Sequence, residues 1–111
     1  MRAMEVYRSG IFAGTLIEEN RHQYVFRYND EYFSDLNKSA ISLTLPKTKK
    51  EYRSEFLFPF FFNMLSEGVN RKLQSTQLHI DEEDSFGLLM ATAQNDTIGA
   101  ITVKPIPAKW T

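Results

Sequence analysis

Two histidines, His22 and His79, are the only imidazoles in this chain of 111 residues, and they lie far apart with no metal-ligand spacing around either. With no cysteine present, a disulfide scaffold, a thiolate metal site and a cysteine nucleophile are all excluded. Ser66, His79 and Asp81 supply the residue types of a Ser-His-Asp set, but no nucleophile-elbow motif surrounds the serine. The run Asp81-Glu82-Glu83-Asp84 lacks the alternation and central glycine of a calcium loop. Its charge suits a helix N-terminus, with Asp81 or Asp84 as the cap. The basic stretch Lys47–Arg53 has the charge to touch phosphates. Glu51 dilutes it and no basic helix follows, so it reads as a solvated loop. Gly10, Gly14, Gly68, Gly87 and Gly99 form no phosphate-cradling pattern. These groups point to neither catalysis, nor a cofactor, nor a metal.

The chemistry that stands out is apolar. Phe56 to Gly68 holds five of the nine phenylalanines. Pro59 biases Phe58 toward extended backbone and suits the first position of a helix. Phe58, Phe61, Phe62 and Leu65 follow the i, i+3, i+4, i+7 spacing of one helical face, and Phe60 and Met64 make a second apolar row. Gly68 is placed to end the helix. One row belongs to a core; the second is surplus, and surplus apolar surface marks a partner site.

The elements that position this stretch follow from patterning. Met4–Arg8 and Ile11–Ile17 alternate on either side of Ser9-Gly10, which predicts a hairpin. Gln23–Tyr28 extends it to a meander, with Tyr24, Phe26 and Tyr28 on one face. Tyr32, Phe33 and Leu36 fit one helical turn. Ile41–Leu45 alternates and predicts a fourth strand ended by Pro46. Beyond Gly68, Asn70 is a cap for a helix to about Gln77. Phe86, Leu89, Met90 and Ala93 share the face of another helix. Ile98–Val103 predicts a last strand, stopped by Pro105 and Pro107. Strands, then helices, then one strand give an α+β domain: an antiparallel sheet with a few short helices on one face. One domain is expected over residues 1–106, with 107–111, including the sole tryptophan Trp110, as a loose tail. The net charge of −1 gives no general attraction for nucleic acid or acidic membranes, and no apolar run reaches the length of a span or a signal-peptide core. These features, with the absent cysteines, fit a cytoplasmic protein.

In the order in which they fall, these motifs resemble the N-terminal subdomain of HipA-type serine/threonine kinases, the toxin components of bacterial toxin–antitoxin systems. The hairpin Val6-Tyr7-Arg8-Ser9-Gly10-Ile11-Phe12-Ala13-Gly14-Thr15-Leu16 matches the family form V-Y-x-x-G-x-x-x-G-x-L. Phe26-Arg27-Tyr28 and Ser42-Leu43-Thr44-Leu45-Pro46 match later pieces. The most specific match is Pro59-Phe60-Phe61-Phe62-Asn63-Met64-Leu65-Ser66-Glu67-Gly68, with Arg71 after it, to a pattern like P-F-F-x-N-L-L-P-E-G. Asp84-Ser85-Phe86-Gly87-Leu88-Leu89 and Gly99-Ala100-Ile101-Thr102-Val103 match the closing helix and strand. Ser66 stands where proline is usual, and Val69 where a bulky aromatic is common.

The resemblance implies a fold and a role. The kinase body's catalytic aspartate, metal-binding asparagine and second metal-binding aspartate have no counterpart in these residues. The chain is therefore similar to the small HipS-like subunit of three-part HipB–HipS–HipT systems, an antitoxin that binds the kinase, and not to an enzyme. The expected partner is a HipT/HipA-like kinase, with a HipB-like DNA-binding protein as a third component. Under this resemblance the turn Leu65–Arg71 approaches the kinase cleft. Glu67 pairs with a basic group there and Arg71 with a carboxylate, while Phe60, Met64 and Val69 supply apolar anchors around Ser66 and Gly68. The other reading is a structural subunit that completes the kinase lobe without inhibiting it.

Overall fold

The computed structural model describes residues 2–65, 76–77, 79–80, 83–92 and 100–106. Strand β1 (Arg2–Arg8) meets β2 (Ile11–Asn20) through Ser9-Gly10. Both turn residues have positive φ, 52° and 79°, as a tight two-residue hairpin turn of right-handed strands requires. Strand β3 (Gln23–Tyr28) follows on the far side of β2. The short helix α1 (Asp30–Ser34) then leads to an irregular segment and to β4 (Glu51–Ser54), which pairs with β3. Helix α2 (Pro59–Phe62), helix α3 (Ser85–Thr92) and β5 (Ile101–Pro105) complete the described elements. The sheet runs β4-β3-β2-β1-β5 and every pairing is antiparallel, so this is the expected α+β domain.

The register shows how one face becomes the core. Tyr52, Phe26, Leu16 and Met4 stand opposite one another across four strands, and Tyr28, Gly14, Val6 and Val103 form the next row. Tyr32 of α1, Phe61 of α2, and Phe86, Leu88 and Leu89 of α3 pack on these rows, so the helices lie on one side. Gly14 is required by the crowding: a Cβ there would meet the Arg27 carbonyl oxygen at 2.4 Å and the Phe26 ring at 2.9 Å. The opposite face carries charge, with Arg27 paired to Glu51 (2.7 Å), and Glu51 in turn to Arg53 (2.9 Å).

Four expectations are corrected. Ile41–Leu45 is not a strand. Its alternation is real, with Ile41 and Leu45 buried and Leu43 99 % exposed, but the backbone is claimed by side chains. The Tyr28 hydroxyl accepts from the Ile41 N–H (3.1 Å) and donates to the Leu45 carbonyl. The Leu45 N–H turns back to the Ser42 carbonyl (3.1 Å), which closes a turn. The fourth strand is instead Glu51–Ser54, taken from the charged stretch expected to be a loop. It is an edge strand with one ionic cross-strand pair, Arg27–Glu51, and one large apolar side chain, Tyr52, toward the core, so it shows no hydrophobic alternation. Tyr32 and Phe33 do lie on α1, but Leu36 falls beyond its end and is 96 % exposed. Pro105 is the last residue of β5, at the sheet edge, where a missing N–H is tolerated.

Candidate functional site

The aromatic stretch begins after β4. Phe58 has an extended ψ of 135°, and Pro59 opens α2 as its sequence position predicts. The helix lasts four residues. The Phe62 and Asn63 N–H groups bond four residues back, to Phe58 and Pro59, but those of Met64 and Leu65 bond three residues back, to Phe61 and Phe62. This tightening changes which side chains face inward, because side chains three apart eclipse in a three-residue turn. Phe58, Phe61 and Met64 therefore line up, at 8 %, 0 % and 4 % exposure. The four-residue spacing would have put Phe62 inside and Met64 on a second row. The structure exchanges them: Phe62 is 37 % exposed and Met64 is core. Phe60 is half-buried, its ring edge-on to Phe61 at 5.2 Å.

Of the residues expected at a partner surface, Phe60 therefore keeps part of its ring at the surface, and Met64 spends its apolar area inside the domain. Ser66, Glu67, Gly68, Val69 and Arg71 lie outside the described residues. Two aromatics not expected at the partner surface reach it: Phe56, 72 % exposed, and Phe62, which periodicity had placed on the inward row. Phe56 precedes the proline and belongs to no periodic face. The signal available in the sequence was the brevity of a helix between Pro59 and Gly68, which forbids a full heptad pattern.

Phe56 and Phe62 flank an open groove of about 630 Å³. It is lined by Arg21, His22 and Tyr24 where β2 turns into β3, by Glu55 to Leu57 and Phe62, and by Glu83 to Ser85 leading into α3. The floor is a hydrogen-bonded ionic cluster. Arg2 donates from Nε to Glu18 Oε1 (2.7 Å) and through both terminal nitrogens to Asp84 (2.9 and 3.1 Å). Its guanidinium also lies 5.2 Å from the Phe86 ring centre. The hydrogen bonds from Arg2 hold the Asp84 carboxyl below its usual range and, with Glu18, raise Arg2 further above its own. Burial, with the Glu18 charge behind it, raises the Tyr24 phenol, which donates to Glu18 (3.2 Å).

Asp84 also fulfils the expected capping role, because its Oδ1 accepts the Gly87 N–H (3.1 Å). Gly87 leaves room for this carboxylate: a Cβ there would meet Asp84 Oδ2 at 2.3 Å. The floor is thus tied by hydrogen bonds, with one guanidinium shared between two carboxylates, while the rim offers two aromatic rings. Such a groove suits binding rather than bond-making. His22 and His79 are both exposed. Among the described residues there is no group of three or more histidines and carboxylates placed to hold a metal, and no helix long and apolar enough to cross a membrane. Of the Ser-His-Asp trio, Ser66 and Asp81 lie outside the described residues, as do most of the helix expected from Asn70 and the tail at 107–111.

Comparison with known proteins places the chain. A Haemophilus influenzae protein described as uncharacterized is 30 % identical over 104 residues, covering 94 % of this chain and 92 % of that protein. A Sinorhizobium fredii protein named "Putative kinase Y4mE" is 25 % identical over 105 residues, covering 95 % of this chain but 25 % of its own length. Among solved structures, the N-terminal domain of HipA toxin superposes with a TM-score of 0.72 at 26 % identity, covering 97 % of this chain and 95 % of that one. The family described as HipA N-terminal domain matches residues 4–104, and the chain belongs to that family.

Proposed function

We propose that the protein is a non-catalytic binding subunit that docks on a HipT/HipA-type serine/threonine kinase toxin and holds it inactive, as a HipS-like antitoxin does. The observation that carries this reading is the groove flanked by Phe56 and Phe62, at the point where the chain leads into the family's most specific motif. Two aromatics beside a hydrogen-bonded floor make the kind of anchor pair that dominates protein interfaces. The Haemophilus relative, matched over nearly its whole length, supports a unit of this size working as a separate chain. The motif residues Ser66, Glu67, Gly68, Val69 and Arg71 carry the inhibitory contact in this reading, with Phe60 at its base. Inhibition follows by mass action, because a subunit that binds only the open kinase depletes the closed, productive one. It acts in the cytoplasm, where the kinase acts.

Co-expression tests the reading. Induction of a HipT/HipA-type kinase from the same source should arrest growth, and simultaneous induction of the protein should restore it; equal toxicity in both cases rules out the antitoxin role. The Sinorhizobium relative, in which the matching unit is a quarter of one longer chain, favours a second reading. In that reading the protein completes the kinase lobe, or its assembly with a HipB-like DNA-binding partner, without inhibition. Glu67→Lys and Val69→Asp separate the two. Lost inhibition with retained binding assigns the turn to the kinase cleft, whereas unchanged growth rescue by both variants removes the turn from the mechanism.

A further inference from the structure

The groove flanked by Phe56 and Phe62 is more acidic than the chain as a whole. Its lining holds two arginines, Arg2 and Arg21, against four carboxylates, Glu18, Glu55, Glu83 and Asp84. That is an excess of two negative charges, in a chain whose net charge is −1. We infer that the groove receives an arginine side chain, carried on a basic segment of the kinase partner and held against the Phe56 ring beside the Glu55 carboxylate. The inference rests on docking to the kinase and adds the chemistry of the segment that docks.

The floor already holds one guanidinium in this manner. Arg2 lies between Glu18 (2.7 Å) and Asp84 (2.9 Å), with its guanidinium 5.2 Å from the Phe86 ring centre. Carboxylate and ring act together there, by charge-assisted hydrogen bonds and by the negative face of the aromatic. The lip offers the same combination a second time. Glu55 and Phe56 are consecutive, both are exposed and both line the groove. Phe56, 72 % exposed, has most of its ring available. An arginine suits this site better than a lysine, because its planar, weakly hydrated guanidinium stacks on a ring while its edge donates to a carboxylate.

The sign of the occupant follows from what the floor leaves over. Both Asp84 oxygens and Glu18 Oε1 accept from Arg2, and Glu18 Oε2 accepts from the Tyr24 hydroxyl (3.2 Å). These bonds occupy the carboxylate oxygens but do not cancel their charge, since one guanidinium faces two carboxylates. Among the other lining residues, Arg21 stands against Glu55 and Glu83, so the imbalance is repeated rather than corrected. A cation entering the groove is attracted without breaking any floor bond. A phosphate or a nucleic-acid backbone meets the same excess as repulsion. An apolar side chain would cover the rings but would also strip water from carboxylates it cannot pair. The groove's volume of about 630 Å³ exceeds the needs of one guanidinium and leaves space for the residues that carry it.

The test is calorimetric titration of a purified HipT/HipA-type kinase from the same source with wild type, Phe56→Tyr, Phe56→Leu and Glu55→Lys, each variant first checked for a cooperative melting transition. Phe56→Leu keeps apolar area but loses the ring face, and should weaken binding about fivefold; Phe56→Tyr keeps the face and should bind as wild type does. Glu55→Lys should weaken binding about tenfold and flatten its decline with added salt. Equal affinity of Phe56→Leu and wild type makes the contact merely apolar and overturns the inference. So does a loss in Phe56→Tyr as large as in Phe56→Leu, or unchanged or tighter binding by Glu55→Lys. Wild-type affinity in all three variants moves the contact elsewhere on the chain, which overturns the inference and leaves docking standing. If wild type itself does not bind the kinase, both fall. A photo-crosslinking amino acid in place of His22, which lines the same groove, identifies the occupant. An arginine-containing kinase peptide is expected there; a kinase peptide without arginine, or a second copy of this chain, overturns the inference.

Discussion

At the scale of single residues, the fold depends on a few places where no other side chain fits or no other partner is within reach. Gly14 is the sharpest case. A methyl group there must displace a carbonyl oxygen of the neighbouring strand or the buried Phe26 ring, and neither is free to move. Gly14→Ala should therefore cost about 2 kcal/mol, the usual price of overpacking, measured as a lower urea midpoint with an unchanged slope. Tyr28 is the second case. Its hydroxyl accepts the Ile41 N–H (3.1 Å), and burial, the largest influence on the phenol, pushes its pKa up to about 12. The neutral phenol is the form the fold holds. Its contribution is complete below pH 10 and is lost as pH rises from there through about 12, since the unfolded chain then releases the proton first. Tyr28→Phe should lower stability at pH 7 by about 1–3 kcal/mol through the unpaired backbone groups. It should also decline less steeply than wild type between pH 10 and 12 in alkaline denaturation.

At the scale of elements, the short α2 shows where periodicity stops being a guide. Phe61 is fully buried among Phe26, Phe58 and Phe60, whereas Phe62 faces the groove. Phe61→Ala should cost about 3–5 kcal/mol and, in so small a domain, leave little folded protein at 37 °C. Phe62 is 37 % exposed, so Phe62→Ser should cost less than Phe61→Ala, about 1–2 kcal/mol in urea unfolding, and weaken kinase binding. The hairpin and the meander were legible because Ser9-Gly10 and the alternation on either side of it are local signals that tertiary contacts had no reason to override. Segment 41–45 was misread because Ile41, Leu43 and Leu45 alternate as a strand would. The deciding contact is the Tyr28 hydroxyl, thirteen residues away from Ile41 and invisible to any window. Strand β4 was missed for the converse reason: Tyr52 is its one large apolar side chain and charged residues stand on either side of it, so its residues look like a loop. The groove was legible only as an excess of aromatics. Which two rings remain outside was set by the change from four-residue to three-residue hydrogen bonding after Phe62, which sequence spacing does not encode.

At the scale of the whole molecule, the first strand is the hinge of the architecture. β1 pairs with β2 on one side and with β5 on the other, so the sheet closes around residues that emerge first in the sequence. Arg2 adds a side-chain tie of the same reach. Its two hydrogen bonds to Asp84 span 82 positions, and they join β1 to the residue that caps α3. Asp84 is held below its usual pKa first by Arg2, and burial only partly opposes this. The sign follows directly. The folded protein favours the carboxylate, so the tie contributes fully above the ordinary aspartate value of about 3.8 and is lost as pH falls through the lower, folded value. Arg2→Met keeps much of the stem that packs by Phe86 but removes the charge and the donors. The variant should be less stable than wild type near pH 6 in urea unfolding, and the gap should narrow as pH falls below 3.8 and through the lowered folded value of Asp84. A gap that stays constant over that range would mean Arg2 acts through packing alone, and the groove floor would then owe its rigidity to Glu18 and the helix cap rather than to this long-range pair.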